Sequence, residues 1–137
     1  QKKTQIEIGE YLEALKANPK HVRAMIALGF AYARLALYKK ALTQLDAAVQ
    51  LDPSNELAHY YRAAVLYNTR RIDEAIAAYE TVLKLRPGFA EAHYNLGQIH
   101  ADRGEKAKAI GHFQAAIAAN PNYSAALLAL TKLRQGK

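Results

Sequence analysis

The four prolines of this 137-residue chain, Pro19, Pro53, Pro87 and Pro121, stand 34 residues apart. Such a spacing marks an internal repeat, and a period of roughly 20 to 50 residues changes the meaning of every position inside it. Stepping by 34 links Ile8, Leu42, Ile76 and Ile110, then Tyr11, Leu45, Tyr79 and Phe113, then Leu15, Val49, Leu83 and Ile117. All are apolar or aromatic. Alanine recurs unchanged at Ala24, Ala58, Ala92 and Ala126, and again at Ala41, Ala75 and Ala109. Within a period the apolar residues come at three- and four-residue steps, as in Ala41, Leu42, Leu45, Ala48 and Val49, which is a helical stripe and not strand alternation. Each period holds two stripes. One break between them is polar or small, as at Thr69-Arg70-Arg71 and Arg103-Gly104-Glu105, where Gly104 can take the left-handed conformation that ends a helix. The other break carries the proline, as in Asp52-Pro53-Ser54-Asn55, Arg86-Pro87-Gly88-Phe89 and Asn120-Pro121-Asn122-Tyr123, and forces the preceding residue out of helical geometry. The expectation is an all-α chain of helix, turn, helix, turn.

Composition narrows the class. At 51% hydrophobic and 23% charged residues, with 4 Pro and 7 Gly, the chain is not disordered, collagenous or low in complexity. Its length suits one domain. The absence of cysteine removes disulfide frameworks, thiolate metal sites and cysteine nucleophiles, and it leaves cytoplasm and periplasm equally open. No apolar run approaches the roughly 18 residues of a membrane span, and Gln1-Lys2-Lys3-Thr4-Gln5 lacks the apolar stretch of a signal peptide. Because the chain begins at glutamine and Met25 is its one methionine, we expect a piece of a longer or processed protein.

On these residues the sequence resembles the tetratricopeptide repeat (TPR) family. Its signature is a large residue, Leu-Gly and Tyr on a first helix, followed by Ala, an aromatic residue, Ala and Pro on and after a second. Residues 22–55 place Met25, Leu28-Gly29, Tyr32, Ala41, Leu45, Ala48 and Pro53 there, and residues 90–123 place His93, Leu96-Gly97, His100, Ala109, Phe113, Ala116 and Pro121. Residues 56–89 are looser, with His59, Arg62-Ala63, Leu66, Ala75, Tyr79, Val82 and Pro87, but keep the 34-residue spacing. The resemblance implies a single TPR domain over residues 1–137, an α-solenoid of antiparallel helix pairs in a right-handed superhelix. Residues 1–21 would be the second helix and turn of a partial repeat, and 124–137 the first helix of another or a cap. Independently of the family, Gly29, Ala63 and Gly97 are expected where paired helices cross, since a larger side chain would hold the backbones apart. Each pair leaves an apolar face that a neighbour must cover.

Nothing in the sequence points to catalysis. There is no dinucleotide fingerprint, phosphate loop or His-Glu-x-x-His, and no cofactor or metal is expected. His93 and His100 lie two turns apart on one helical face, but His59 and His93 fill the family's large-residue column and His100 its tyrosine, so all three are expected to pack; no carboxylate is placed in sequence to complete a site with them, though one could approach in space. Arg62 replaces a leucine and is expected to lay its stem on the core with its head at the edge. Gly9 and Gly111, inside second helices, are expected to reflect close packing.

The resemblance implies protein binding along a concave groove lined by first-helix residues outside the packing columns. These are Arg23, Ile26, Phe30, Ala33 and Arg34; Leu57, Tyr60, Tyr61, Ala64, Tyr67 and Asn68; Glu91, Tyr94, Asn95, Gln98 and Ala101; and Ala125, Leu128 and Lys132. Aromatic bodies with polar tips suit recognition. The lysine, asparagine and arginine clamp of chaperone adaptors is absent: Ile26, Phe30, Tyr61, Glu91 and Asn95 stand there instead. An asparagine ladder is also absent, Ala27, Tyr61 and Ala129 occupying the column of Asn95.

A net charge of +7 supports a rival reading, nucleic-acid or acidic-surface binding by Arg34, Lys39, Lys40, Arg70, Arg71, Arg103, Lys106 and Lys108 around the intra-pair turns. Asp73, Glu74, Asp102 and Glu105 offset them, and Tyr38 is the one aromatic residue among them, so a solvated rim is expected. Head-to-tail self-association is a further expectation, because Leu127, Leu128, Leu130 and Leu133 crowd the last helix and Gln1 and Lys137 share a repeat column.

Overall fold

The computed structural model describes residues 1–136; Lys137, on which the column match with Gln1 depends, lies outside them. The described residues form eight α-helices and no strand: α1 (Lys2–Ala17), α2 (Val22–Arg34), α3 (Tyr38–Leu51), α4 (Glu56–Asn68), α5 (Ile72–Leu85), α6 (Ala90–Asp102), α7 (Lys106–Ala119) and α8 (Ser124–Arg134). They divide into two compact units, residues 1–78 and 79 onward, with α5 contributing to both.

The turns follow from local chemistry. Before the prolines, Asn18, Asp52 and Asn120 lie at φ of −141°, −138° and −141°, as the proline ring demands. The next helix is then capped from the turn: the His21 Nδ1 accepts from the Ala24 N–H and the Asn55 Oδ1 from the Ala58 N–H, satisfying donors that the helix leaves unpaired. At the intra-pair turns, α2, α4 and α6 end in the same double bond pattern. The amides of Leu37, Arg71 and Glu105 donate to the carbonyls of Tyr32, Leu66 and His100, and those of Ala36, Arg70 and Gly104 to Ala33, Tyr67 and Ala101. This closure needs a left-handed residue. Ala36, Arg70 and Gly104 all supply it, with φ of 59°, 66° and 77°, although glycine marks the column in the sequence at one turn alone.

In the first unit α2 packs on α1 and α3, and α3 on α4. Met25, Ile26, Ala48 and Ala58 form one core cluster and Ala41, Leu45 and Val65 another. In the second unit α6 packs on α7 and α7 on α8, around Ala109, Phe113 and Leu130. The small residues at the crossings are required: a Cβ on Gly29 would stand 2.7 Å from Leu45 Cγ, and one on Gly97 would stand 2.6 Å from Phe113 Cε1. Gly9 and Gly111 correct the sequence expectation. Nothing lies within 4 Å of a Cβ built on either, so close packing does not explain them. Gly111→Ala should therefore raise stability by about 0.5–1 kcal/mol through helix propensity, seen as a higher urea midpoint with an unchanged slope.

Candidate functional site

The first-helix residues singled out by the sequence fall into two sets, one per unit. In the first unit, Phe30 and Leu57 are 40% and 47% exposed, and Arg23, Arg34 and Asn68 are also exposed. Phe30 stacks obliquely on Tyr61 with ring centroids 4.9 Å apart, and Tyr61 meets Tyr60 edge-on at 5.7 Å. The Arg34 guanidinium lies 5.1 Å over the Phe30 ring while donating to Glu7 Oε2 at 2.8 Å. An aromatic row edged by a fixed cation results, with Tyr60, Tyr67 and Ala64 half-buried. Ile26 is not part of it. Its side chain is 8% exposed and packs with Met25, Ala48 and Ala58, because the buried arc of α2 is wider than the family columns alone suggest. Tyr61 is half-buried and packs against both cores of this unit, which leaves it supporting Phe30 and Tyr60.

In the second unit, Tyr94 stacks on Phe113 at 5.8 Å and Tyr123 at 5.2 Å, and its hydroxyl oxygen accepts from Gln98 Nε2 at 2.8 Å. Tyr94, Asn95, Gln98 and Ala101 are half-buried, and Glu91, Ala125, Leu128 and Lys132 are exposed. Tyr94, Gln98, Phe113, Leu128 and Lys132 line a cavity of about 320 Å³, so α6, α7 and α8 bring residues separate in sequence to one site.

The histidines divide by role. His59 and His93 are half-buried, and the Nε2 of each contacts the carbonyl of the turn proline six residues earlier, Pro53 at 2.8 Å and Pro87 at 2.9 Å. A carbonyl only accepts, so both Nε2 atoms carry hydrogen and tie the helix to its turn. The Nδ1 of neutral His93 must then accept, and His112 Nδ1–H, 3.1 Å away, donates to it. His112 lies parallel to His100, with centroids 5.5 Å apart and planes 8° apart. His100, buried at 7% exposure, donates from Nδ1 to Glu105 Oε1 at 2.9 Å. The sequence left open a carboxylate approaching in space, and Glu105, five residues on, is that group, reaching His100 across the turn. Burial, then repulsion from His93 and His100 in their protonated forms, push the His112 imidazole down to about 4, and the bond from His100 holds the Glu105 carboxyl below its ordinary value. Among the described residues no cluster of His, Asp or Glu is arranged to hold a metal.

Several of the cations at the turns are answered by neighbours. Arg34 pairs with Glu7, Arg71 with Glu74 and Lys108 with Glu105, and Lys40 lies 5.7 Å over Tyr32. Arg62 behaves as its sequence position implies, its head reaching Asp46 Oδ1 at 2.7 Å. No helix among the described residues is long and apolar enough to cross a membrane.

Helix pairs of this geometry, with small residues at the crossings and proline turns between, define a helical-repeat protein. Residues 60–124 match the family model described as tetratricopeptide repeat, and residues 10–87 that of the bacterial transcriptional activator domain. The chain belongs to the tetratricopeptide repeat family. It is 32% identical over 117 residues to tetratricopeptide repeat protein 6 of Homo sapiens, a match covering 85% of this chain and 22% of that protein. The chain thus spans about a fifth of that relative's length. A crystal structure of MamA superimposes with a TM-score of 0.85 at 28% identity, covering 94% of this chain and 75% of that one. The first TPR of Spaghetti (RPAP3), bound to the HSP90 peptide SRMEEVD, shares the fold at a TM-score of 0.79 and 17% identity, over 84% of this chain and 91% of that one.

Proposed function

We propose that this chain is a non-catalytic protein-interaction module that holds a segment of a partner protein against the first-helix faces of its helix pairs. Phe30, Leu57 and Tyr60, flanked by Arg23, Arg34, Tyr67 and Asn68, would serve in the first unit, and Tyr94, Asn95 and Gln98, flanked by Glu91, in the second. The observation that carries the reading is the row of rings Phe30, Tyr61 and Tyr60 across the first helices α2 and α4, with centroids 4.9 and 5.7 Å apart and Phe30 40% exposed. Aromatic bodies with polar tips, left partly in water, suit a recognition surface. The likeness in fold to a TPR bound to a peptide supports the same reading.

Nucleic-acid or acidic-surface binding through the turn cations is the weaker reading, since Arg34, Arg71 and Lys108 already face carboxylates. Tyr60→Ala with Tyr94→Ala should weaken partner binding at least about tenfold, the scale of an interface hot spot, with the helical circular-dichroism signal unchanged. Charge reversal at Arg70 and Arg71 should leave binding within about twofold. A steep loss with added salt and with the arginine reversals, and none with the tyrosine pair, would replace this reading by the basic one.

A further inference from the structure

The cavity of about 320 Å³ in the second unit is uneven in its chemistry. Its floor is the buried ring of Phe113, and Leu128 and Leu133 form apolar walls. Its polar groups are one amide, one hydroxyl and one ammonium. With Gln98 Nε2 donating to the Tyr94 oxygen, the Tyr94 hydroxyl hydrogen and the second Gln98 amide hydrogen remain to donate to a ligand. Lys132 stands at the rim, and among the described residues it makes no ion pair and no carboxylate lines the cavity. Glu91, one turn before Tyr94 on α6, is outside the lining. Apolar walls beneath a cation and neutral donors complement one kind of occupant.

We propose that this cavity seats a large apolar side chain of a partner segment while a neighbouring Asp or Glu side chain of that segment pairs with Lys132. The module thereby selects acidic segments that also carry apolar residues. The inference rests on the protein-binding reading above and names the partner chemistry for this unit. Charge complementarity runs the same way for the chain as a whole, whose net charge of +7 favours encounter with acidic segments. The cavity is of a size to take one large anchor side chain, with a flanking carboxylate at its rim beside Lys132. A phosphate backbone gains little there, because apolar walls surround a single cation.

The test is a random peptide library displayed with its C-termini fused, so that no free α-carboxylate competes, panned on the chain and on its Lys132→Gln, Tyr94→Ala and Tyr60→Ala variants. The expected winners on the unaltered chain pair Asp or Glu with Leu, Ile, Phe or Met. As a synthetic peptide blocked at both ends, a winner should lose about tenfold in affinity when its carboxylate becomes an amide, the scale of one charge-assisted bond. Lys132→Gln should abolish that difference. Neutral or basic winners, or a preference that survives Lys132→Gln, would overturn the proposal; if those winners still fail on Tyr94→Ala, the protein-binding reading stands without it. Winners indifferent to Tyr94→Ala but lost on Tyr60→Ala would overturn the proposal and leave the protein-binding reading to the first unit; winners indifferent to both, or no winners, would remove both. Sedimentation provides the remaining arm: self-association abolished by Leu128→Glu and by the peptide would assign the cavity to a second copy of this chain and overturn the proposal.

Discussion

Truncation of Phe113 to alanine is expected to cost about 3–5 kcal/mol, a large share of the roughly 5–15 kcal/mol by which a domain is stable. The ring is 1% exposed and sits at the crossing of α6 with α7, against Tyr94 and beneath Gly97. The same crossing makes Gly97→Ala unfavourable by about 1–3 kcal/mol, because a Cβ 2.6 Å from Phe113 Cε1 forces the ring or the helix aside. Helix propensity alone would favour that alanine by about 1 kcal/mol, as it does at Gly111, so one substitution should have opposite signs at two glycines. Urea denaturation of Gly97→Ala, Phe113→Leu and the double variant decides the cause. If the crossing contact is responsible, the double variant is more stable than the sum of the singles; strict additivity would assign the requirement for glycine elsewhere.

The second large effect is on acid stability. His112 titrates at about 4 in the folded chain and near 6.5 when unfolded. Between those values the unfolded chain binds more protons, so stability is full above about pH 6.5 and falls as the pH drops towards 4. Since the ring is half-buried and partly screened by water, about 1–2 kcal/mol should be lost by pH 4. Burial is the first cause and like charge the second. An added proton creates an imidazolium in a half-buried site, against the His100 ring and beside His93. Glu74 and Glu105, whose carboxyls are held below their ordinary value by Arg71 and His100, lose their contributions in a lower window, as the pH falls through their folded values. His112→Gln keeps a donor for His93 and removes the titration. The difference in urea midpoint between pH 7 and pH 4.5 should shrink in that variant; an undiminished difference would show that the acid sensitivity arises elsewhere.

Much of the architecture was legible in the sequence because local rules write it there. The proline column ends α1, α3, α5 and α7, the alanine columns are buried together with Leu45, Tyr79 and Phe113, and Gly29 and Gly97 stand where their neighbours leave no room for a Cβ. These features depend on spacing and residue size within one helix pair. The left-handed column was legible only at Gly104; Ala36 and Arg70 adopt the same conformation because the pair of turn hydrogen bonds demands it, whatever residue is present.

What the sequence alone determined is therefore the period, the helices, their turns and the columns that pack. Tertiary structure decided which remaining residues face water. Ile26 and Phe30 lie one turn apart on α2, yet one is core and the other exposed, because the packing of α2 against its neighbours sets the width of the buried arc, and helical periodicity fixes only its direction. Gly111 proved open, His100 found Glu105, and Arg34 found Glu7, while Lys132 was left at the rim of an apolar cavity. Each outcome depends on distances between side chains carried by different helices or turns, which a one-dimensional pattern does not contain.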